Sequence, residues 1–166
     1  MPGKTEKVQV AGVKLSDELL QINISGISND LDASLLISRL MAENKINMQF
    51  LWGFSLRAHS EAKCCVSMRE EARIRDLVKK DVTLRGEVEF IPSVGMLSLF
   101  PHQFNLRILG ASLAAFGEAG LPLYGMSSSL SALTFITDYI HLRSAVAALR
   151  QYLSIPEGED SASSLP

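Results

Sequence analysis

The sequence lacks the features that mark several large classes of protein. Its 166 residues include only two cysteines, the neighbours Cys64 and Cys65. Adjacent residues of a strand point to opposite faces, so a disulfide between them is geometrically poor. Three scattered histidines, His59, His102 and His141, show no metal-ligand spacing. We therefore expect no disulfide framework, no metal site and no redox pair.

An excess of positive charge is also missing. Sixteen Lys and Arg residues stand against eighteen Asp and Glu residues, which gives a net charge of -2. Such a chain has no basic field to hold phosphates, so nucleic acid is not an expected partner. No apolar run approaches the roughly 18 to 20 residues that a membrane span requires, and the first residues carry no signal-peptide pattern. The expectation is a cytoplasmic protein without a membrane span.

Hydrophobic periodicity predicts two similar halves. In the first half it predicts a strand over residues 20–25, a helix from Leu31 capped by Asn29 or Asp30, strands over 46–50 and 62–68 joined by a hairpin connection around Gly53 and His59, and a helix over 69–80. In the second half it predicts a strand over 94–99, a helix through residues 106–116, strands over 121–128 and 131–137, and a helix over 142–153. The order β-α-β-β-α therefore occurs twice.

The exits of the first and third helices carry a further sign of repetition. Residues 41–48 can be laid over residues 116–123 with matching size, charge and apolar positions. A βαββαβ unit buries the single apolar stripe of each helix on one side of an antiparallel sheet. We therefore predict an α+β protein of two ferredoxin-like units, with four-stranded antiparallel sheets side by side and helices on one face. Units of about 70 residues have small cores, which favours a homodimer.

Five segments of the chain carry a resemblance to a known family: residues 10–13, 46–50, 94–96, 114–121 and 126–129. In this order they resemble the paired ACT domains at the regulatory end of aspartate kinases. The likeness covers nearly everything from residue 8 to residue 153, and the kinase domain itself is absent. The resemblance implies a first ACT-like unit over residues 16–92 and a second over 7–15 plus 93–154, with the N-terminal strand interleaved. Residues 155–166 are polar and rich in Ser, and are predicted to be a disordered tail.

The resemblance also implies a regulatory module that binds a small amino acid effector at the interface between ACT units and acts on a biosynthetic enzyme. The effector's carboxylate suits backbone N–H groups at a helix start, and its ammonium suits carbonyl or amide oxygens. The implied ligand-binding residues are Ser28, Asn29, Asp30, Leu31, Asp32, Ala33, Asn47, Met48, Gln49, Pro122, Leu123 and Tyr124. The strand-to-helix loops, residues 26–32 and 100–106, lack the small Pro-Gly pair usual in the family.

Other interpretations stay open beside the effector site. Acidic residues at the first helix start suit simple capping equally well. An ACT-fold scaffold could mediate oligomerisation or partner binding without any small ligand. Catalysis is not expected and no cofactor is implied, because nucleophiles, acids and bases are scattered, and residues 26–32 lack the arginine of small ferredoxin-like phosphatases. Phe50, Trp52 and Phe135 would suit base stacking if they faced solvent, yet the negative charge argues against RNA.

Overall fold

A computed structural model describes residues 7–27, 32–56, 59–100, 105–129 and 131–156. The chain divides into two compact units, one formed by Met1–Asp17 with Gly95–Pro166 and the other by Glu18–Val94. We call the first the discontinuous unit and the second the continuous unit. The predicted tail at 155–166 lies outside the described residues from residue 157 onward. In the described residues, no helix is long and apolar enough to span a membrane.

The element order follows the predicted repeat. The strands are β1 (Val8–Gln9), β2 (Gly12–Leu15), β3 (Leu19–Ile27), β4 (Met48–Leu56), β5 (His59–Ser67), β6 (Val88–Phe100), β7 (Gly125–Ser128), β8 (Leu133–Asp138) and β9 (Leu153–Ser154). The helices are α1 (Ala33–Glu43), α2 (Glu71–Lys80), α3 (Leu106–Glu118) and α4 (Leu142–Tyr152). Short 3-10 turns, Met68–Glu70 and Tyr139–His141, precede α2 and α4. The α+β class is confirmed.

Hydrogen bonding joins seven of the described strands in one sheet, rather than the two separate four-stranded sheets that were predicted. The order is β4-β5-β3-β6-β8-β7, and β2 also pairs with β6. The difference arises because β6 is one strand of 13 residues, of which Val88–Val94 pairs with β3 and Leu97–Phe100 pairs with β2. The pairs β3–β5, β3–β6, β4–β5, β2–β6 and β7–β8 are antiparallel, as expected.

The continuous unit has its own core on one face of its strands. This core contains alternate residues of β3 and β5 together with the apolar stripes of α1 and α2. Its buried members are Leu20, Ile22, Ile24, Ala33, Leu36, Ile37, Leu40, Met41, Ile46, Ala62, Cys64, Val66, Ile74, Val78 and Leu84. The alternate strand residues that face one side of the sheet therefore pack against the apolar stripes of the two helices in one cluster.

The discontinuous unit has a second, separate core. Side chains of β2, the second half of β6 and β8 meet the stripes of α3 and α4. Within it, the rings of Phe116 and Phe135 stack with centroids 5.2 Å apart. Gly95 lies so close to α4 that a Cβ atom there would stand 2.5 Å from Leu142 Cδ1.

The ends of α1 and α3, one in each unit, have the same pair of backbone hydrogen bonds. At the end of α1, the N–H of Lys45 donates to the carbonyl of Ala42, and the N–H of Ile46 donates to that of Met41. At the end of α3, the same two bonds run from Gly120 to Gly117 and from Leu121 to Phe116. This pair of bonds is the Schellman motif, which needs a left-handed residue just after the cap. Lys45 has φ 54° and Gly120 has φ 62°.

Two sequence expectations about strands are wrong. β4 and β5 form the predicted antiparallel hairpin, but its connection is shorter than predicted, because β4 runs through Gly53 to Leu56 and β5 starts at His59. The alternation was obscured because Phe50–Phe54 is apolar or glycine at every position. The strand predicted over 94–99 begins at Val88 instead. Pro92 breaks its pattern, and Ser93, at φ 58°, lies in a bulge opposite β3.

The ends of the chain add a short parallel pair that no periodicity indicated. β1 pairs parallel with β9, with Val8 opposite Leu153. Two-residue strands are too short to carry a readable alternation. The pair brings the two ends of the discontinuous unit together, because β9 follows α4 directly.

Candidate functional site

The start of α1 is capped by Asp32, not by Asn29 or Asp30. Asp32 Oδ1 accepts hydrogen bonds from the N–H groups of Ser34 at 2.7 Å and Leu35 at 3.1 Å. Asp32 has extended backbone angles, which is the usual conformation of an N-cap residue. The helix thus begins at Ala33, two residues later than the periodicity predicted.

The neighbouring backbone N–H groups at the start of α1 also donate hydrogen bonds. The N–H of Ala33 donates to Ser60 Oγ at 2.7 Å, in a buried bond between α1 and β5. The N–H of Leu36 donates to the carbonyl of Asp32 at 3.0 Å. Residues Ala33 to Leu36 therefore offer an effector carboxylate no unused N–H group. A carboxylate at this loop needs donors from residues 28–32, and Ser28, Asn29, Asp30 and Leu31 lie outside the described residues.

Ser60 is a contributor that sequence reasoning missed. It is 4% exposed and lies on the helix-facing side of β5. No local signal pointed to it, because its role comes from a residue 27 positions earlier in the chain. Its hydroxyl completes the capping of α1. The N–H groups of Ala33, Ser34 and Leu35 therefore all donate to acceptors within the protein.

The predicted ammonium partners on the first helix exit keep their polar groups in solvent. Asn47 and Gln49 are exposed, whereas Met48 is half-buried and packs against the core of the continuous unit. Amide oxygens of this kind accept hydrogen bonds from an ammonium group. The alternation of exposed and buried side chains is the one predicted for residues 46–50.

These two parts of the predicted site do not meet within the continuous unit. Asp32 and Ala33 stand at the start of α1, and Asn47 and Gln49 follow its end. An α-helix of 11 residues is about 16 Å long, far more than the distance between the ammonium and carboxylate of one amino acid. A single effector cannot bridge both ends of the same helix.

The third predicted part, residues 122–124, belongs to the discontinuous unit. The carbonyl of Pro122 accepts from Thr137 Oγ1 at 2.7 Å, and Leu123 is exposed. The hydroxyl of Tyr124 donates to Asp138 Oδ1 at 2.9 Å. That hydrogen bond, with lesser contributions from burial and from the charge of Asp138, raises the pKa of Tyr124.

The aromatic residues considered for base stacking do not form a platform. Phe50 and Phe135 are buried, and Phe135 lies inside the core of the discontinuous unit. Only Trp52 of the three is exposed, at 39%. The expectation that all three could face solvent is wrong, because β8 turns Phe135 toward the helices and not away from them.

The cysteines offer no activated nucleophile. Both are free thiols in the buried part of β5. Burial raises the pKa of Cys64 to about 12, and burial together with the neighbouring Cys64 raises the pKa of Cys65 further. Nucleophilic cysteines need a lowered pKa, so these thiols are suited to packing.

No protein family profile matches the sequence. No curated protein matches it either. Solved structures do match. The regulatory subunit of aspartate kinase from Thermus thermophilus, in its ligand-free form, is 16% identical with a TM-score of 0.74, over 87% of this chain and 99% of that one. The regulatory subunit from Thermus flavus is 15% identical with a TM-score of 0.75, over 86% of this chain and 97% of that one.

A longer enzyme shares the fold over part of its length. Escherichia coli aspartokinase III in complex with lysine and aspartate is 9% identical with a TM-score of 0.62, over 90% of this chain and 34% of that one. Identities this low establish likeness of fold. The sequence resemblance to the regulatory region of aspartate kinases is thereby confirmed at the level of the fold.

Proposed function

We propose that this chain is a non-catalytic regulatory module of the ACT type, which binds a small amino acid effector and passes that state to a biosynthetic enzyme. The supporting observation is the extent of the fold likeness. The chain covers 99% and 97% of two aspartate kinase regulatory subunits, so the likeness extends over nearly the whole of each of them. The E. coli neighbour contains lysine and aspartate, which supports an amino acid as the ligand class.

The same proposal includes the domain organisation. It comprises two ferredoxin-like ACT units, over 16–92 and over 7–15 plus 93–154, in a cytoplasmic homodimer. The two separate cores and the repeated helix exit support a duplicated unit. The pairing of β2 with β6 supports an N-terminal strand that completes the discontinuous unit.

The geometry favours an effector site built from two ACT units. The loop before α1 and the strand after it lie at opposite ends of one helix, which supports carboxylate and ammonium partners that come from different units. In our proposal the loop over residues 28–32 receives the carboxylate. Asn47 and Gln49, or the segment 122–124, receive the ammonium. Asp32 competes with the effector's carboxylate for the start of α1, because Asp32 Oδ1 already accepts hydrogen bonds from two N–H groups there.

Isothermal titration calorimetry of the full chain against each of the twenty amino acids tests this function. One or a few of them should give saturable heat and raise the melting temperature. Gln49→Ala should weaken that binding roughly tenfold or more, because a hydrogen bond to a charged group contributes about 1.5–3 kcal/mol. Gln151→Ala is the matched control, since Gln151 is also an exposed glutamine and lies on α4. If none of the twenty amino acids gives saturable heat at millimolar concentration, the effector proposal is wrong.

A second candidate function is a scaffold that oligomerises without a small ligand. One observation favours it. The edge strand β4 has the sequence MQFLWGFSL, with no charged residue in nine positions. Uncharged edge strands invite pairing with another chain. If the chain is a dimer, and no amino acid changes its size or its melting temperature, that result would favour this role over the effector role.

A further inference from the structure

Four polar residues lie on the face of the discontinuous unit that turns away from its helices. Lys14, Ser98, Thr134 and Ser127 belong to β2, β6, β8 and β7 in that order. The chain neighbours of the first three are core residues, and Met126, the residue before Ser127, packs against the same core: Val13, Leu15, Leu97, Leu99, Leu133 and Phe135. Successive residues of a strand point to opposite faces, so the four polar side chains share the face opposite the core.

These residues follow one another directly from strand to strand. Lys14 stands opposite Ser98, and Thr134 stands opposite Ser127. A hydrogen bond of 2.9 Å between Ser98 Oγ and Thr134 Oγ1 joins the two pairs. We call these four residues the polar row. Neighbouring strands lie about 4.8 Å apart, so the polar row is about 14 Å long.

The hydroxyl groups of the polar row keep hydrogen atoms that they can donate. Other sheltered hydroxyls of this unit donate to backbone carbonyls: Ser16, Ser112 and Thr137. The bond between Ser98 and Thr134 uses one of their two hydroxyl hydrogens, so one O–H group is left to donate. Ser127 has no hydrogen-bond partner among the described residues. The polar row therefore offers two O–H donors on one face of the sheet.

Lys14 adds a positive charge to these donors. Its side chain is half-buried and forms no ion pair within the part of the chain that the structure describes. Asp138 lies on the same face of β8, but four residues beyond Thr134, or about 13 Å along the strand. Asp138 Oδ1 also accepts a hydrogen bond from Tyr124 already. The polar row thus combines an ammonium group with O–H donors and contains no carboxylate.

We propose that the polar row binds a phosphate group, either free phosphate or a phosphate monoester. Lys14 contributes the charge, and the hydroxyls of the Ser98–Thr134 pair and of Ser127 donate hydrogen bonds. A phosphate group offers at least three strong acceptor oxygens, whereas a carboxylate offers two, so phosphate matches a row with three donor groups. The net charge of -2 excludes a basic field over the whole chain, but one local cation suffices for one small anion.

Apolar side chains beside the polar row strengthen this interaction. Met96 and Ile136 lie on the same face, two positions along the strands from Ser98 and Thr134. Met96 is half-buried and Ile136 is buried. They lower the local dielectric constant, which strengthens both the charge interaction and the hydrogen bonds of a bound anion. No residue of the effector site proposed above belongs to the polar row, so the two sites are independent.

Nuclear magnetic resonance of the full chain locates the site. On titration with sodium phosphate, the backbone amide signals of Lys14, Ser98, Ser127 and Thr134 should move together and saturate. Sodium chloride at the same ionic strength should leave them in place, because it reproduces the screening without the bound anion. A parallel titration with glycerol 3-phosphate distinguishes the source: tighter binding of this ester indicates a phosphorylated small molecule, and tighter binding of inorganic phosphate indicates the free ion.

Substitutions, with affinities from isothermal titration calorimetry, test the role of each group. Lys14→Met should weaken phosphate binding roughly tenfold or more, because it removes a charge-assisted hydrogen bond. Lys14→Arg should keep most of the affinity, which shows that the loss in Lys14→Met is not a folding defect. Thr134→Val keeps the shape of the side chain without its hydroxyl and should weaken binding roughly fivefold. Lys79→Met is the matched control, since it removes the same charge from an exposed position of α2.

The outcomes are separate from those of the effector proposal. Saturable shifts at the polar row that Lys14→Met abolishes and Lys79→Met preserves support the phosphate site, whether or not an amino acid binds. Lys14→Met should also leave any heat of amino acid binding unchanged. The proposal is wrong if phosphate moves none of these amide signals, if acetate moves them as strongly, or if Lys79→Met weakens binding as much as Lys14→Met.

Discussion

Replacing Lys45 by glycine should stabilise the continuous unit. Lys45 is exposed and holds φ at 54°, in the left-handed region. A residue with a side chain loses roughly 1–2 kcal/mol there. Glycine removes that cost, and its greater freedom in the unfolded chain costs about 0.5–1 kcal/mol. The net gain is therefore about 0.5–1 kcal/mol, and Gly120, at the equivalent position, shows that the motif accepts glycine.

Urea unfolding measures this gain. The single tryptophan, Trp52, belongs to the same unit as Lys45, so its fluorescence follows the unfolding of that unit. With a slope of about 1 kcal/mol per molar, typical of small units, the midpoint should rise by about 0.5–1 M. Lys45→Ala removes the side chain but keeps the left-handed strain, and its midpoint should barely move. Equal shifts for both variants, or a lower midpoint for glycine, would refute the reasoning.

The remaining predictions concern the other unit, the helix cap and the buried thiols. Gly95→Ala should cost about 1–3 kcal/mol in unfolding free energy, because the new Cβ would collide with buried Leu142. Gly110→Ala in α3, where the added Cβ meets no neighbouring atom within 4 Å, should instead stabilise by about 0.5–1 kcal/mol, with both variants unfolded in urea and followed by circular dichroism. Asp32→Ala should cost about 1 kcal/mol by freeing two helix N–H groups, and Asp32→Asn should restore most of it in thermal unfolding. Burial raises the pKa of the Cys64 thiol from 9.0 to about 12, so this thiol should not react with a disulfide reagent at pH 8 until the chain unfolds. Its contribution to stability should fall as the pH rises above 9, where only the unfolded thiol ionises. Rapid labelling of the folded chain would contradict the burial.

Much of the fold was readable from local pattern. Each helix stripe and most strand alternations predicted the elements found, and the overlay of residues 41–48 on 116–123 anticipated a repeated helix exit that the hydrogen bonds bear out. Local pattern failed where tertiary contacts decide. Gly53 lies in a strand because β4 pairs with β5 there, and a glycine is needed at this position because Ser34 of α1 fills the place that its Cβ would take. The union of strands into one sheet depends on the length of β6, which Pro92 concealed.

The candidate site was less predictable than the fold. Resemblance indicated which residues to examine, and the exposed amides of Asn47 and Gln49 are where an alternating strand would place them. Sequence could not show that Ser60 and Asp32 satisfy the start of α1, since one of these bonds links residues 27 positions apart.

A crystal structure of the full chain grown with a mixture of amino acids tests the regulatory proposal most directly. We expect density for one amino acid, with its carboxylate at the loop before α1 beside Asn29 and its ammonium within hydrogen-bond distance of Gln49, Asn47 or the segment 122–124. A well-ordered loop with no ligand, its N–H groups satisfied by Asp32 and Ser60 alone, would contradict effector binding by this chain.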